Sequence, residues 1–594
     1  MSAITFNNLV EMFERSVKAY ASNPLFGTKV NGTYTWMTYA EVGELVDAFR
    51  GGLSSLGVTQ GDAVAVISNN RFEWAVAAYA TYSLGAKYVP MYEAQLPKEW
   101  KYILEDCGAK VLLAANSEIY AKTLPFIDEI EGLSHVVNFD GVSSEATSFK
   151  ALCEVGRKAP VPSVNPSPED ICGFIYTSGT TGNPKGVLLS HGNISSNINA
   201  VHQIFPMSQQ DVSLSFLPWA HSFGQTVELH TLLSYGASLG IAESVATILL
   251  NLEEVRPTLL FSVPRIFNRI YAGVHKKMAD AGGLKEKLFH KTLEVASQRK
   301  DLQKADKVSI RLELVFRILD KLVGEKIRAR FGGRLRYAFS GGAALSKEVG
   351  EFVDNLGITV YEGYGLTETS PICTGNCPAG QVIGSVGRPI PGVEVKIDPV
   401  EGAPEGQGEI LVYGPNVMQG YHNLPEKTAE VMTEDGGFRT GDLGRIDSAG
   451  FLYITGRVKE QYKLENGKYV APAPLEEQLK LSGFINQALI DGTNRPYNVA
   501  LIVPDFETLL PWAEAQGLKG LNGAALCAHD SVKALIQAEI KERAAAFKAY
   551  EVPKQFVLVA DEFSTENGML TPTLKLKRRV IMAAHGDTLS ALYG

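Results

Sequence analysis

Residues 38–260 alternate between segments with the period of an α-helix and short apolar runs that are typical of buried strands. The segment YAEVGELVDAFRGGLSSLGV, from Tyr39, has helical spacing and ends near a glycine, and DAVAVISNN, from Asp62, predicts a strand followed by a turn. Strands that alternate with helices along a chain tend to pair in parallel, with the helices packed on both faces of the sheet. The sequence therefore predicts an α/β fold.

Composition places the chain among ordinary folded proteins. It has 594 residues, of which 45% are hydrophobic and 20% charged, and this length is enough for roughly three to four domains. The net charge of −9 argues against a general nucleic-acid-binding protein. The amino terminus has no basic start followed by an apolar block, so a secretory signal is not expected. These features favour a cytoplasmic protein.

Neither a membrane span nor a disulfide framework is indicated. The apolar run WAVAAYATYSLGA, from Trp74, is shorter than the roughly 20 apolar residues that cross a bilayer, and it predicts a helix in the core. Six scattered cysteines fit reduced thiols. Cys373 and Cys377 stand close together, but one C-x-x-x-C without a second pair or nearby histidines is a weak metal signal. We interpret these two cysteines as incidental small residues.

Residues 265–330 differ from the preceding part of the chain. They form a long helical stretch in which basic residues outnumber acidic ones by about two to one. Two interpretations are equally supported: solvated surface helices, or an amphipathic element that rests against anionic lipid at the inner face of a membrane. Beyond this stretch, strand patterns and glycine-rich turns return, and short strands from Gly408 onward predict an antiparallel region before a domain boundary near residue 457.

The segment TSGTTGNPKG at 177–186 follows directly after the strand-like run ICGFIY. Its glycines permit close approach of the backbone, its hydroxyls can donate hydrogen bonds, and Lys185 adds a positive charge, which together suit phosphate oxygens. It is not a Walker A loop, because its lysine is followed by glycine and an apolar run. The alternative is a hairpin turn, but such turns need only about two to five residues. The segment therefore predicts a phosphate-binding loop.

Five motifs along the chain resemble those of one enzyme family. In order, they are YTSGTTGNPKG from 176, GYGLTET from 363, TGDLG from 440, GRVKE from 456 and LTPTLK from 570. Their order and approximate spacing are similar to those of the adenylate-forming enzymes, which include acyl-CoA synthetases, firefly luciferase and peptide-synthetase adenylation domains. The chain most resembles the long-chain fatty acid–CoA ligases, and three features fit that branch: the insertion at 265–330, YVAPAPLE from 469 and ENGMLTPTLKLKRR from 566.

The resemblance implies an α/β fold with two parts. A large N-terminal region at 1–456 would contain two α/β sheets, a small β-barrel-like region and the helical insertion. A small, mobile α+β domain would follow at 457–594. The implied reaction is ATP-dependent activation of a long-chain fatty acid to acyl-AMP, followed by transfer to CoA, with Mg²⁺ as the metal.

Two other functions are compatible with this fold. A fatty acyl-AMP ligase would pass the acyl group to a carrier protein, but no extra insertion or fused carrier domain is evident in the sequence. A catalytically silent nucleotide- or lipid-binding regulator would have no need for every charged group of the site. Four such groups are present, which argues against a regulator: Lys185, Glu368, Asp442 and Lys575.

By resemblance, the glycine-rich loop holds the β- and γ-phosphates of ATP. The corresponding residues are Thr177, Ser178, Gly179, Thr180, Thr181, Gly182 and Lys185. Glu368 would bind Mg²⁺, with Thr177 as a second ligand, because this hard cation prefers oxygen ligands. Thr367 would contact the α-phosphate.

The family also implies positions for the nucleoside. Tyr364 would stack on adenine, and the slot around it would be lined by Gly341, Gly342, Glu362 and Gly365. Asp442 would accept both ribose hydroxyls, and Arg457 would donate to the ribose. Other interpretations exist for single residues: Tyr364 could be core packing, Asp442 a turn residue, and Arg457 the partner of an interdomain salt bridge.

Two residues are implied in the chemistry itself. His221, in FLPWAHSFGQ, matches a histidine beside the acyl carboxylate, although a lone histidine in an apolar segment is more often a core residue. Gln225 stands where some long-chain enzymes carry a tryptophan that gates the acyl tunnel. Lys575 aligns with the lysine that bridges the carboxylate and the α-phosphate, and Lys577 is the alternative if the alignment is shifted by two residues. Leu574 replaces the glycine of many relatives.

Lys459, in GRVKE, falls at the hinge position of the family. There the small domain would turn between the two half-reactions. An exposed lysine in a linker is the alternative interpretation.

Overall fold

The computed structural model describes residues 5–177, 183–571 and 573–593. Within them, the strands form sheets of nine, seven, four, three and two strands. The two large sheets consist mainly of parallel strands, with antiparallel strands at their edges. The predicted α/β fold is confirmed.

The nine-stranded sheet combines strands from the first 40 residues with strands from the centre of the chain. Its order across the sheet is Arg388–Pro389, Ile372–Gly375, Thr359–Gly365, Tyr337–Ser340, Leu259–Ser262, Val212–Ser215, Ser238–Ile241, Pro24–Val30 and Thr33–Thr38.

The seven-stranded sheet is formed mostly by residues 63–190. Its order is Gly420–Tyr421, Lys185–Ser190, Ile171–Thr177, Lys87–Met91, Ala63–Ile67, Ala109–Ala114 and His135–Asn138.

The smaller sheets follow later in the chain. The four-stranded sheet is antiparallel and contains Glu394–Pro399, Gly408–Tyr413, Phe438–Ile446 and Leu452–Arg457. The two-stranded and three-stranded sheets contain Tyr462–Lys463, Tyr469–Val470, Ile485–Asp491, Val499–Pro504 and Gln555–Leu558.

Helices connect and cover these strands. Those before residue 260 are Leu9–Ala19, Tyr39–Ser55, Phe72–Tyr82, Pro97–Cys107, Ser117–Thr123, Phe126–Glu129, Phe149–Lys158, His191–Ile204, the π-helix Phe223–His230, Thr231–Ser234 and Ile248–Val255. Those that follow are Pro264–Ala281, Gly283–Lys304, Ile310–Leu319, the π-helix Asp320–Gly324, Glu325–Ala329, Lys347–Asn355, the 3₁₀ turn Thr367–Thr369, Pro425–Ala429, Pro472–Leu479, Phe506–Ala515, Gly523–Ala528, Asp530–Arg543, Arg578–Ser590 and the 3₁₀ turn Ala591–Tyr593.

Local sequence signals explain several boundaries. Thr38 and Glu41 form a reciprocal capping box that starts the helix Tyr39–Ser55. Gly108 ends a helix in the left-handed conformation, with φ +61°, which glycine adopts at little cost. The helix Phe72–Tyr82 contains the apolar run from Trp74 and is buried along most of its length in the main core cluster. The predicted core helix is confirmed, and no helix of the described residues is long and apolar enough to span a bilayer.

The insertion at 265–330 is helical, as predicted. Contacts also join this part of the protein to the C-terminal residues. Leu481 lies in the hydrophobic cluster that contains Phe352, and the Arg543 guanidinium lies 3.6 Å from the Glu348 carboxylate. The domain boundary between 456 and 457 stays a prediction. Arg457 is the last residue of the strand Leu452–Arg457.

Candidate active site

The predicted phosphate loop connects two antiparallel strands. Thr177 ends one strand and is the register partner of Lys185, which begins the next. Ser178, Gly179, Thr180, Thr181 and Gly182 lie outside the described residues. The Lys185 ammonium lies 4.5 Å from the centroid of the Tyr421 ring, and burial lowers its pKa. The structure therefore places the Lys185 ammonium next to Tyr421, at the start of the strand that follows the predicted loop.

Glu368 lies on the 3₁₀ turn Thr367–Thr369, close to Lys185. The Tyr421 hydroxyl donates to Glu368 Oε1 at 2.9 Å, which fixes the carboxylate. The charge of Glu368 also opposes the lowered pKa of Lys185. Thr367 is buried, and its hydroxyl lies 3.4 Å from that of Ser222. The predicted metal ligand and the predicted phosphate lysine therefore share one neighbour, Tyr421.

The predicted nucleoside residues form a hydrogen-bonded chain. The Tyr364 hydroxyl donates to Asp442 Oδ2 at 2.8 Å, and Arg457 Nε lies 2.9 Å from Asp442 Oδ1. Asp442 and Arg457 are cross-strand partners in the four-stranded sheet. Burial raises the pKa of Asp442, whereas the Arg457 charge and the Tyr364 hydrogen bond oppose this rise. The Arg457 side chain is 44% exposed, which leaves it accessible to a ligand.

Two glycines of this slot are required by space or conformation. A Cβ atom on Gly365 would lie 1.8 Å from the Pro371 carbonyl oxygen, so no other residue fits there. Gly342 has φ +81°, in the region that favours glycine. At Gly341 a Cβ would lie 3.3 Å from the Phe223 ring, which is a tight contact.

Glu362 is buried on the same strand as Tyr364. Its carboxylate accepts a hydrogen bond from the Gly384 backbone N–H at 3.1 Å, and burial raises its pKa to about 7. Part of the hydrogen-bonding capacity of the Glu362 carboxylate is therefore already used within the protein.

His221 lies in the loop between the strand Val212–Ser215 and the π-helix Phe223–His230. Its Nδ1 accepts a hydrogen bond from the Phe223 backbone N–H at 3.2 Å. Burial, followed by the positive charge of Lys575, lowers its pKa to about 4. The imidazole is therefore neutral near pH 7, with its proton on Nε2.

Gln225 is buried behind this loop. Its amide Nε2 donates to the Tyr82 hydroxyl at 3.3 Å, and its backbone N–H donates to the His221 carbonyl oxygen at 2.9 Å. Gln225 is thus held by the protein core.

Lys575 is presented by a tight turn. The Thr571 N–H donates to the Lys575 carbonyl oxygen at 2.9 Å, and the Lys575 N–H donates to the Thr571 hydroxyl at 3.1 Å. The turn requires φ +61° at Leu574, in the region that favours glycine. Lys577 lies at the N-cap of the last helix, where its N–H donates to the Met569 carbonyl oxygen at 2.8 Å.

The electrostatic neighbours of Lys575 belong to the predicted site. Lys575 is accessible to solvent. Desolvation by the surrounding protein nevertheless lowers its pKa, and the positive charge of Arg457 lowers it further. The negative charges of Asp442 and Glu368 oppose this shift. The positive charge of Lys575 in turn lowers the pKa of His221. The structure therefore brings the lysine of the C-terminal region together with the nucleoside, metal and acyl candidates.

Lys459 lies in an exposed turn directly after the strand that ends at Arg457. Its charge contributes to the lowered pKa of Lys185, so the predicted hinge residue lies within electrostatic range of Lys185.

The sequence analysis missed three residues of this region. Tyr421 contacts both Lys185 and Glu368, Ser222 approaches Thr367, and Phe223 covers Gly341. Each contact joins segments far apart in the chain, and none of the three residues lies in a phosphate or metal motif. Ser222 and Phe223 had a local signal, since they directly follow His221 in the chain, whereas Tyr421 had none.

The described residues contain no cluster of three or more His, Cys, Asp or Glu side chains that could hold a metal ion. All six cysteines are free thiols. A magnesium ion that is bound together with nucleotide phosphates needs only one or two protein carboxylates, so Glu368 with a nearby hydroxyl is compatible with it.

Comparisons with known proteins identify the family. The sequence pattern described as AMP-binding enzyme matches residues 13–422, and the pattern described as the AMP-binding enzyme C-terminal domain matches residues 459–593. The chain belongs to the AMP-binding enzyme family. The family resemblance inferred from the five motifs is thus confirmed.

Curated relatives of this AMP-binding enzyme cover almost the whole chain. It is 34% identical to the peroxisomal long chain acyl-CoA synthetase 6 of Arabidopsis thaliana, over 98% of this chain and 86% of the relative. It is 33% identical to the long-chain-fatty-acid–CoA ligase FadD15 of Mycobacterium tuberculosis, over 95% and 93%. The human long-chain-fatty-acid–CoA ligase 1 is 32% identical, over 98% and 86%.

Solved structures agree on the fold of this AMP-binding enzyme. The adenylation domain of a carboxylate reductase from Mycobacterium chelonae has a TM-score of 0.79 at 24% identity, with coverage of 99% of this chain and 91% of that domain. ATP-bound MatB from Rhodopseudomonas palustris has a TM-score of 0.72 at 22% identity, with coverage of 98% and 100%. Both comparisons confirm that a large N-terminal region is followed by a smaller C-terminal domain.

Proposed function

We propose that this enzyme is an AMP-forming long-chain fatty acid–CoA ligase that uses ATP, Mg²⁺ and CoA. The observation that carries the proposal is that Lys575 lies within electrostatic range of Asp442, Glu368 and His221. The names of the three curated relatives support the same reaction and substrate class. The roles given below to single residues are part of the proposal.

The first step joins two anions. A fatty-acid carboxylate oxygen attacks the α-phosphorus of ATP, the bond from that phosphorus to the bridging oxygen breaks, and pyrophosphate leaves with the electron pair. Lys575 would hold a positive charge between the carboxylate and the α-phosphate, and Thr367 would donate to the α-phosphate. Preorganised donors of this kind contribute most where charge develops in a cleft partly shielded from water.

The neutral state of His221 fits a place beside the acyl carboxylate. With Nδ1 occupied by the Phe223 N–H, only Nε2–H is free to donate. An imidazolium there would repel the nearby Lys575 and compete with it for the fatty-acid carboxylate. The neutral ring can orient this carboxylate through a hydrogen bond and leave the ionic contact to Lys575.

Glu368 and Thr177 would hold Mg²⁺, which when bound supplies charge neutralisation for the phosphates. The Tyr421 hydrogen bond keeps Glu368 in place. Lys185 would bind the terminal phosphates, and Tyr364, Asp442 and Arg457 would hold the nucleoside.

In the second step the CoA thiolate attacks the acyl carbon and AMP leaves. Lys575 is not required for this attack. The small domain would turn about Lys459 between the steps, which exposes the acyl-adenylate to CoA.

The test is pyrophosphate release with and without CoA, for a series of acids from acetate to palmitate. We expect thioester product and a kcat/KM that rises with chain length, because each buried methylene contributes up to about 0.8 kcal/mol. Pyrophosphate release without thioester would instead indicate a fatty acyl-AMP ligase. An absence of release would indicate a silent regulator, and a kcat/KM for acetate that equals that for palmitate would refute the long-chain preference.

We also infer peripheral association with anionic membranes through the helical insertion. The helical segment 310–324 exposes five large apolar side chains: Ile310 at 85%, Leu314 at 62%, Val315 at 36%, Ile318 at 55% and Leu322 at 47%. Exposed cations lie among them, namely Arg311, Arg317 and Lys321. A mixed apolar and basic face of this kind suits an anionic lipid surface.

The acidic residues of the same segment do not cancel these cations. Glu313 pairs with Arg299 at 2.5 Å, and Asp320 pairs with Arg328 at 2.7 Å. Both carboxylates are thus used within the insertion, and the outward charge stays positive.

The membrane proposal is tested with Arg317→Glu/Lys321→Glu and vesicles of phosphatidylglycerol or phosphatidylcholine. We expect wild-type protein to sediment with the anionic vesicles only, and the double variant to remain in the supernatant. Lys150→Glu/Lys158→Glu, at exposed cations of another helix, is the matched control. Equal sedimentation of both double variants would refute this surface.

A further inference from the structure

Glu228 is a fully buried carboxyl group that the proposed chemistry does not use. It lies on the π-helix Phe223–His230 and has no exposed surface. One carboxyl oxygen accepts from the Ser213 hydroxyl at 2.6 Å, and the other accepts from the Ser215 hydroxyl at 2.7 Å. Both serines belong to the strand Val212–Ser215, so Glu228 ties the helix to the sheet.

The same hydrogen-bond network continues into the loop that carries His221. Trp219 Nε1 donates to Ser215 Oγ at 3.0 Å, and Asn70 Nδ2 donates to the same oxygen at 3.1 Å. The Asn70 side chain also accepts from the Trp219 backbone N–H at 2.8 Å and donates to the Leu217 carbonyl oxygen at 2.8 Å. The loop is therefore held at two backbone positions and one side chain.

Ser215 has no spare acceptor capacity in this network. Its two lone pairs receive Trp219 and Asn70, so its own hydrogen must point to Glu228. Ser213 can either donate to a carboxylate or accept from a carboxylic acid. Burial raises the pKa of Glu228 to about 8, which favours the acid form at pH 7; in that form the carboxyl O–H donates to Ser213 Oγ, whereas the carboxylate accepts from the Ser213 hydroxyl.

We propose that Glu228 is a positioning residue for the acyl end of the active site: through Ser215 and Trp219 it fixes the loop that presents His221 to the fatty-acid carboxylate. The inference rests on the proposed ligase function. The loop and the π-helix also contact two ATP candidates, through Ser222 with Thr367 and Phe223 with Gly341, but neither contact involves Ser215 or Trp219. Disorder in this loop should therefore weaken fatty-acid binding more than ATP binding.

The test compares two variants of nearly the same size. Glu228→Leu removes both hydrogen bonds. Glu228→Gln retains them, because its amide oxygen accepts from Ser215 and its amide N–H donates to Ser213. At pH 7 we expect Glu228→Leu to raise the KM for palmitate about tenfold with little change in the KM for ATP, and Glu228→Gln to restore the wild-type KM.

Ser215→Ala provides a second test if the leucine variant does not fold. Its matched control is Ser238→Ala, on the neighbouring strand, where the hydroxyl is buried and donates to the Pro24 carbonyl oxygen at 2.7 Å. We expect a raised palmitate KM only for Ser215→Ala. An unchanged palmitate KM, or an equal rise in the Ser238 variant, would overturn the proposal.

A pH titration of thermal stability checks the protonation state. The pKa of folded Glu228 is raised, so the folded state keeps a proton that the unfolded chain releases, and stability falls as pH rises toward about 8. The groups that oppose the effect of burial on this pKa are Ser213, Ser215 and Trp219. Relative to Glu228→Gln, the Tm of the wild type should fall between pH 5 and 8 and then level off; a constant Tm difference would contradict this assignment.

The two proposals fail in different ways. Wild-type protein without fatty-acid-dependent pyrophosphate release would refute the ligase function itself. Normal wild-type activity together with a palmitate KM that does not respond to Glu228→Leu would refute only the positioning role.

Discussion

The two halves of the candidate active site are built differently. In the large N-terminal half, both key carboxylates already have protein partners: Asp442 accepts from the Tyr364 hydroxyl and Glu368 from the Tyr421 hydroxyl. The C-terminal half contributes Lys575, whose ammonium makes no hydrogen bond or ion pair with the described residues. It follows Leu574, which has an unfavourable positive φ.

This contrast suggests that the large half binds the ligands, while the small half supplies a group needed for one step only. A slot held by internal hydrogen bonds keeps its shape when the ligand changes, whereas a lysine on an exposed turn can approach the substrate for one step and withdraw for the next. Substitutions in the large half should therefore affect ligand binding, and substitutions in the small half should affect one half-reaction.

The largest expected effect is that of Lys575→Ala. Loss of one preorganised donor typically costs about 10²–10³ in rate, and we expect this loss in pyrophosphate release from ATP and palmitate. Thioester formation from supplied palmitoyl-AMP and CoA should survive. Lys577→Ala is the matched control, and a selective loss in that variant instead would show that the catalytic lysine is misassigned.

Glu368→Gln examines the large half. The substitution keeps the shape and the Tyr421 hydrogen bond but removes the charge that a hard cation prefers. The Mg²⁺ concentration for half-maximal adenylation should rise by about tenfold or more, with an unchanged Tm. Wild-type dependence on Mg²⁺ would show that another residue is the ligand.

Lys459→Pro tests whether the small half must move. Proline fixes φ near −65°, and the Lys459 N–H makes no backbone hydrogen bond within the described part of the chain. We expect adenylation to persist while thioester formation from acyl-AMP slows several-fold. Lys459→Ala is the control for the side chain, and equal effects on both half-reactions would argue against a hinge.

Leu574→Gly should give the smallest effect. A residue other than glycine in the left-handed region costs about 1–2 kcal/mol, so the relief of strain should partly offset the greater flexibility of glycine in the unfolded chain. We expect a change in Tm of a few degrees and an adenylation rate within about fivefold of wild type. A tenfold or greater change in rate would show that the leucine side chain itself positions Lys575.

The sequence was informative where a function depends on a contiguous motif. The turn that presents Lys575 and the pairing of Thr177 with Lys185 both arise from residues close together in the chain. It was uninformative for Tyr421, whose contact with Glu368 joins residues 53 positions apart. No local pattern marks a tyrosine whose partners are set by strand packing.

The sequence by itself determined the α/β class, the helical insertion and the family, because periodicity and spaced motifs are properties of the chain read in order. Only the tertiary structure decided which groups of the site are already paired, which protonation state His221 adopts, and that Glu228 is buried between a helix and a strand. The physical reason is that pKa values and hydrogen-bond partners depend on desolvation and on distances of a few ångströms, and these are fixed only when distant segments pack together.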